Sequence, residues 1–324
     1  MDRKINVGLI GAGIHGSRYA NHIINDLNDL FSLKGICCKT PSKGHQLAET
    51  FKTHFFPDYS ELIAHPDIEA VISVTPPHLN KIIADSCLTH NKKLLLEKPL
   101  STDLTEARHI VTSFKRANLG LTIGQTLRFN PVIKTLKDEF WRIGTPYVFS
   151  ATFRLEPSTI SWLDYPAVAG AGVIFHIAVH LFDALRYITG QEVKQVHASS
   201  FKVHTSNLED LFTAKIEMDN GVVGIVESSR VTQARSARYE FAGSSGQLHG
   251  DQVHGFVEFV KGIAIEELYR STPEPAILYL LKDWFLFLSG KKDNPVPGED
   301  GLAAVKICDA CRTSSLNKQW VPVF

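Results

Sequence analysis

The chain has 324 residues, 34 basic and 34 acidic side chains, and a 44% share of hydrophobic residues. This length allows two domains with ample core, and the balanced charge argues against a broadly basic nucleic-acid surface. No apolar run is expected to reach the length of a membrane span, and Met1-Asp2-Arg3-Lys4 enters the first strand at once, leaving no room for a signal peptide.

The run Ile5–Ile10 leads into Gly11-Ala12-Gly13-Ile14-His15-Gly16 and then a helix-compatible segment, Ser17 to Leu27. Strand, G-x-G-x-x-G turn and helix start form the pattern of a dinucleotide-binding unit. Gly11 permits the turn, Gly13 lets the backbone approach a pyrophosphate, and Gly16 lets the helix pack closely. A second strand, Leu33 to Cys38, ends where an NAD-binding unit carries a carboxylate for the adenosine ribose. Here Cys38 stands at that place, followed by Lys39-Thr40-Pro41-Ser42-Lys43. Two lysines and no carboxylate predict a preference for NADP over NAD.

Helical pattern resumes at Gly44 to Thr53 and at Tyr59 to Ile63. A strand at Ala70 to Val74 ends in Thr75-Pro76-Pro77-His78, and a helix follows from Leu79 to His90. The strand Lys93 to Leu96 ends in Glu97-Lys98-Pro99-Leu100. A helix begins near Asp103, and a last strand runs from Leu119 to Ile123. Near-continuous apolar strands alternating with helices imply an α/β domain, residues 1–125, with a parallel sheet buried on both faces. Past Pro131 the pattern changes. After a helix at Val132 to Trp141, alternating segments at Tyr147–Arg154, Val193–Val203, Leu211–Met218, Val222–Ser229 and Arg238–Ala242 predict a mostly antiparallel sheet. Asp219-Asn220-Gly221 marks a hairpin. Helices at Gly172–Ile188, Glu274–Leu288 and Asp300–Ser314 complete an α+β domain, residues 126–324, in which Ser289 to Gly298 reads as a linker.

The five cysteines lack framework spacing, which suits reduced thiols in a cytoplasm. Cys308 and Cys311 form a C-x-x-C within a helical pattern and fit helix packing better than a redox or zinc site. His176, His180 and Asp183 stand at i, i+4 and i+7 of a helical pattern, so they share one face. A neutral imidazole there can take a hydroxyl proton and return it. With no third ligand beside the two histidines, no metal is expected.

Gly11–Gly16, Thr75-Pro76 and above all Glu97-Lys98-Pro99, at these separations, resemble the glucose–fructose oxidoreductase, inositol dehydrogenase and MocA family. Gly124 to Pro131 is similar to its link into the second domain. Trp162 to Pro166, then Gly170 through His180 and Asp183, resemble its substrate-site segment. Gly298 to Leu302 and the following helix resemble its C-terminal element. The resemblance implies hydride transfer to or from a hydroxyl or keto carbon of a sugar, polyol or related cyclic substrate. It also implies a Rossmann domain and assembly of several copies through the C-terminal sheet.

The resemblance gives Lys98 contacts with both cofactor and substrate. His180 would be the acid/base, and His176 a catalytic or substrate contact or else a packed residue. The family's usual helix pattern has Asp where this chain has His176 and Gly where it has Ala178, which keeps a non-catalytic dinucleotide-binding regulator as the alternative. A reductase of a non-carbohydrate ring is another. Cofactor contacts are expected from the glycine turn, Cys38, Lys39, Ser42, Lys43, Thr75, Pro76, His78, Glu97 and Lys98, and from Asn80 unless it caps a helix. Arg128, Trp162 and Asp164 either line a sugar pocket or serve packing and ion pairing. A small-molecule substrate is the expected partner, with neither nucleic acid nor membrane.

Overall fold

In the computed structural model, which describes residues 3–272 and 274–324, the first apolar run becomes β1 (Ile5–Ile10). It is joined by β2 (Phe31–Cys37), β3 (His54–Phe56), β4 (Ala70–Ser73), β5 (Lys93–Leu96) and β6 (Leu121–Ile123). All pair in parallel, in the order β3-β2-β1-β4-β5-β6. The crossovers are α1 (Ile14–Asn21), α2 (Pro41–Phe51), α3 (Tyr59–Ala64), α4 (Asn80–Thr89) and α5 (Leu104–Arg116). The last shows why such a segment is helical. Asp103 accepts from the Glu106 N–H at its start, and Ala107, Ile110, Val111 and Phe114 form one buried stripe. Strand order reverses between β1 and β4, and ligands of such sheets bind outside the strands' carboxyl ends at the reversal.

Two local details depart from the sequence reading. The first helix starts at Ile14 and ends in a π turn, His22–Asp26. The second begins at Pro41, whose fixed φ suits a first helical position, so Ser42 and Lys43 lie in its first turn.

The second sheet has nine strands. They are β7 (Pro146–Arg154), β8 (Val193–Phe201), β9 (Leu211–Met218), β10 (Val223–Ser229), β11 (Ser236–Gly243), β12 (Gly246–Asp251), β13 (Phe256–Lys261), β14 (Ala264–Arg270) and β15 (Val321–Pro322). Their order is β14-β13-β12-β11-β7-β10-β9-β8-β15, antiparallel except where β7 meets β10. In β9, Phe212, Ala214, Ile216 and Met218 are buried, as the alternation requires. Gly221 takes φ 85° in the Asn-Gly turn to β10. Helices α6 (Pro131–Glu139), α7 (Pro166–Ala169) and α8 (Val179–Thr189) belong to this unit, and a π turn, Ile174–Ala178, leads into α8. Contrary to the expectation that no apolar run is long enough, Pro166–Thr189 could cross a membrane by length and composition. It is a core element, because 83% of its apolar window is buried inside the fold.

The domain boundaries need a correction. One compact unit comprises Met1–Gln125 with Ile277–Leu302; the other comprises Thr126–Ala276 with Ala303–Phe324. Residues 277–302 return to the first unit because its sheet leaves apolar surface for them. In α9 (Ala276–Leu288), Trp284 stacks on Phe31 at 5.7 Å and Phe285 meets the same ring edge-on at 5.6 Å. The presumed linker also pairs with β6. Val296 O accepts from Ile123 N–H at 2.9 Å, and Asn294 bonds both Thr122 Oγ1 and Leu121 O. Then α10 (Gly298–Asn317) begins with Gly298 and Gly301 against Leu121 and Ile123.

Trp284 is fully buried, so Trp284→Ala is expected to destabilise the protein by about 3–5 kcal/mol in urea unfolding. A change within about 0.5 kcal/mol, the size of a surface substitution, contradicts the placement of residues 277–302.

Candidate active site

The glycine turn is constrained at two glycines and open at the third. Gly11 has φ 91°, and a Cβ there would lie 2.1 Å from the Val74 carbonyl oxygen. A Cβ on Gly16 would lie 2.1 Å from the Gly11 oxygen. The Gly11 and Ala12 N–H groups donate to Cys37 O at 2.8 and 3.3 Å, fastening the turn to the end of β2. Above Gly13 there is no heavy atom within 4 Å of a Cβ position, and α1 has no side-chain cap. Uncapped first-turn amides at the positive end of a helix, beside an open glycine, fit a dinucleotide pyrophosphate.

The end of β2 does not build a phosphate site. Cys38 is half-buried and its thiol donates to Thr40 O at 3.4 Å. Lys39, Ser42 and Lys43 are exposed, and neither lysine has a hydrogen bond or ion pair among the described residues. Carboxylates stand close by. The Cys37 thiol is pushed up to about 12 by burial first, then by the neighbouring Cys38 and the negative charges of Asp58 and Glu61.

At the ends of β4 and β5 the side chains are tied together. Asn80 is buried; its Nδ2 donates to Pro99 O at 2.9 Å and Leu100 O at 3.3 Å, and its Oδ1 accepts from Thr75 Oγ1 at 3.3 Å. The expectation that Asn80 contacts cofactor or caps a helix is therefore corrected, since its amide is consumed in fixing the loop after Lys98. Thr75 and Pro76 are half-buried, and His78 is exposed on a short 3-10 turn, Pro77–Leu79. Lys98 is half-buried and joined to Pro99 by a cis peptide bond.

Glu97 is buried beneath this edge. Its Oε1 accepts from His15 Nε2 at 2.9 Å and from the Tyr19 hydroxyl at 2.6 Å; its Oε2 accepts from the Lys98 N–H at 3.0 Å. Burial pushes the carboxyl up, but the His15 hydrogen bond, the charges of His15 and Lys98, and the Tyr19 hydroxyl together hold it below the usual carboxylate range. Tyr19 in turn is raised well above a free phenol, by burial and then by Glu97. Glu97 thus positions its neighbours and lies too deep to be a cofactor contact in its own right.

In the second unit, Arg128 grips Asp183, with Nε donating to Oδ2 at 2.9 Å and Nη2 to Oδ1 at 2.6 Å; Asp183 is 1% exposed. The guanidinium also lies over the Tyr187 ring, 5.3 Å from its centroid. Of the two roles open to Arg128, pocket lining or ion pairing, the structure shows the second, a clamp on α8. Asp164 likewise serves the protein's own hydrogen bonding. Its carboxylate accepts from the backbone N–H groups of Leu208, Ser206 and Asn207 and from the Asn207 amide. These bonds, Leu208 first, hold it below the usual range.

His176 is buried, and its Nε2 lies 3.1 Å from Ala169 O. A carbonyl only accepts, so this nitrogen carries the proton and donates. Trp162 meets the ring edge-on at 5.9 Å. His180 is half-buried, 6.4 Å from the Phe153 ring. His176 lies in the π turn and His180 in the first turn of α8. Such π turns are frequent at functional sites.

Sequence reasoning missed Tyr19 and Glu209. Glu209 accepts from the N–H groups of Gly172 and Ile174 at 3.0 and 3.3 Å and so caps the histidine segment; burial raises its pKa. Tyr19 carried a signal as a polar-tipped aromatic one turn past Gly16, whereas Glu209 carried none. Among the described residues there is no cluster that could hold a metal.

Residues 5–125 match the family described as "Oxidoreductase family, NAD-binding Rossmann fold", and residues 141–249 match the "GFO/IDH/MocA C-terminal domain". The chain is 26% identical to myo-inositol 2-dehydrogenase of Thermotoga maritima over 98% of each chain. It is also 26% identical to inositol 2-dehydrogenase of Acidothermus cellulolyticus, covering 100% of this chain and 96% of that one. Levoglucosan dehydrogenase, solved with NADH and levoglucosan, superposes with a TM-score of 0.91 at 23% identity, over 99% of this chain and 100% of that one. The expected NADP preference is overturned. The matched domain family is described as NAD-binding and that solved structure holds NADH, while the lysines that suggested NADP are exposed and make no hydrogen bond or ion pair among the described residues.

Because the folded-state pKa of Glu97 is depressed, its contribution to stability is fully present above the ordinary glutamate value of about 4.3 and is lost as pH falls through the folded value. Glu97→Gln is expected to be less stable at neutral pH and to lose less stability than the wild type between about pH 6 and pH 3. Parallel urea-unfolding profiles for the two proteins would contradict this.

Proposed function

We propose that this chain, which belongs to the glucose–fructose oxidoreductase, inositol dehydrogenase and MocA family of oxidoreductases, interconverts a secondary alcohol and a ketone on a sugar, polyol or related ring with NAD. The observation that carries the reading is Lys98 at the carboxyl end of β5, anchored through Glu97 and through Asn80 in the same unit as an open glycine turn. The cofactor, when bound, supplies or accepts the hydride. Gly11, Ala12, Gly13, Ile14, His15 and Gly16 hold its pyrophosphate. The Cys38 end of β2 serves the adenosine ribose, and Thr75, Pro76 and His78 serve the β4 end.

The Lys98 ammonium donates to the substrate oxygen and stabilises charge that develops there. His180 takes the hydroxyl proton in oxidation and returns it in reduction. His176, fixed by Ala169 and Trp162, selects which substrate is accepted. All five cysteines are free thiols, which supports a reducing, cytoplasmic setting. Val148, Val223, Ile225 and Ile265 are exposed on strands of the second sheet, which supports assembly of copies through it.

A panel of sugars, polyols and sugar nucleotides, read by nicotinamide absorbance with NAD and NADP, tests the reading; no turnover of any ring alcohol or ketone would contradict it. On the substrate found, Lys98→Met should remove most turnover while leaving the fold intact. His180→Asn should lower kcat by roughly 10²–10⁴-fold, the range for lost acid–base catalysis. His176→Asp should keep turnover and reorder kcat/KM across the panel. An inactive His176→Asn beside a near-normal His180→Asn would reverse the two roles.

A further inference from the structure

We propose that His15 is a positioning residue that couples dinucleotide binding to the placement of Lys98, acting through the Glu97 carboxylate. The inference rests on the oxidoreductase reading above and adds a role to a side chain on the glycine turn. Three of the groups around Glu97 cannot easily move. Tyr19 is fully buried and donates from the core side. Gly124 packs so closely behind the carboxylate that a Cβ there would lie 2.9 Å from Glu97 Cδ. The loop beyond Lys98 is pinned by Asn80 through Pro99 O and Leu100 O.

His15 differs from these. Its side chain is 43% exposed, and it stands between Gly13 and Gly16 on the turn whose amides are uncapped. Its Nε2 is committed, because a carboxylate held ionised only accepts, so Nε2–H donates to Oε1. Nδ1 has no hydrogen-bond partner among the described residues. An anion over the turn supplies that partner to a doubly protonated ring, in which Nδ1–H donates to the anion while Nε2–H donates to Glu97. A ring held at both nitrogens stops librating, and the carboxylate it holds is then fixed at Oε1. The other oxygen of the same planar group accepts from the Lys98 backbone N–H. Occupancy of the phosphate position is in this way transmitted over one imidazole and one carboxylate to the residue that carries the reactive ammonium. The edge-on contact of the His15 and Tyr19 rings, 5.6 Å apart, keeps the imidazole in the orientation this requires.

The test measures hydrogen exchange at the Lys98 amide in the full chain, with and without saturating NADH, alongside NADH affinity by fluorescence. In the wild type NADH should slow exchange at Lys98. His15→Ala should bind NADH roughly tenfold more weakly, as for a lost hydrogen bond to a charged group. Once saturated, it should show no slowing at Lys98. Tyr19→Phe removes a bond to the same carboxylate from the core side, so it should lower thermal stability yet keep the NADH-dependent slowing, which separates coupling from a general loss of order. Should His15→Ala fail to fold, His15→Gln is put through the same comparison. Wild-type protection of Lys98 in a saturated His15 variant would overturn the coupling. Failure of the wild type to bind NADH would instead overturn the functional reading beneath it.

Discussion

A carboxylate withdrawn from water must be met by donors or it takes up a proton. At Glu97 the donors come from two stretches of the first unit that are far apart in sequence: the glycine turn and first helix, through His15 and Tyr19, and the Lys98 amide beside Glu97 itself. Meeting them requires β1 and β5 in their positions in the sheet, with their carboxyl ends on one edge, and requires Gly124 to have no side chain. The parallel sheet therefore supplies the rigid frame, and the single buried charge brings the loops on its edge into register. A neutral residue of the same size would fill the space without demanding this arrangement.

The second unit uses the same device with different residues. The segment carrying His176 and His180 is held at its start by Glu209, which accepts from Gly172 and Ile174, and further along by the Arg128–Asp183 pair. Asp164 pins residues 206–208, next in the chain to Glu209. Buried or saturated acids thus fix the frame around the two histidines. This explains why Arg128 and Asp164, plausible as sugar contacts from their residue types, turn out to be occupied by the protein itself.

Local signals were legible where one short stretch determines its own conformation. The glycine turn, the Asn-Gly hairpin and the alternation of Phe212, Ala214, Ile216 and Met218 each specify geometry within a few residues. The strand β12, Gly-Gln-Leu-His-Gly-Asp, was not legible, because a lone large apolar side chain, Leu248, marks its buried face. The return of residues 277–302 to the first unit was hidden for another reason. A helix as apolar as α9 declares that it will be buried but not against what, and its partner, Phe31, lies some 250 residues earlier. The π turns escaped because an i, i+4 spacing reads as α-helix in the absence of backbone coordinates. The Lys39–Lys43 stretch misled because charge along the sequence looked like a phosphate site, whereas both lysines stand exposed with no hydrogen bond or ion pair among the described residues to organise them.

The account depends most on Glu97 being an ionised, donor-saturated carboxylate inside the first unit. Carbon-13 NMR of the full chain, with the Glu97 carboxyl followed through an acid titration and assigned by Glu97→Gln, measures this directly. The prediction is a titration below the ordinary glutamate value of about 4.3, moving upward in His15→Ala as one donor and its charge are lost. A wild-type value at or above the ordinary one would contradict the account, because the carboxyl would then be a buried acid without the bonds that tie the glycine turn to Lys98.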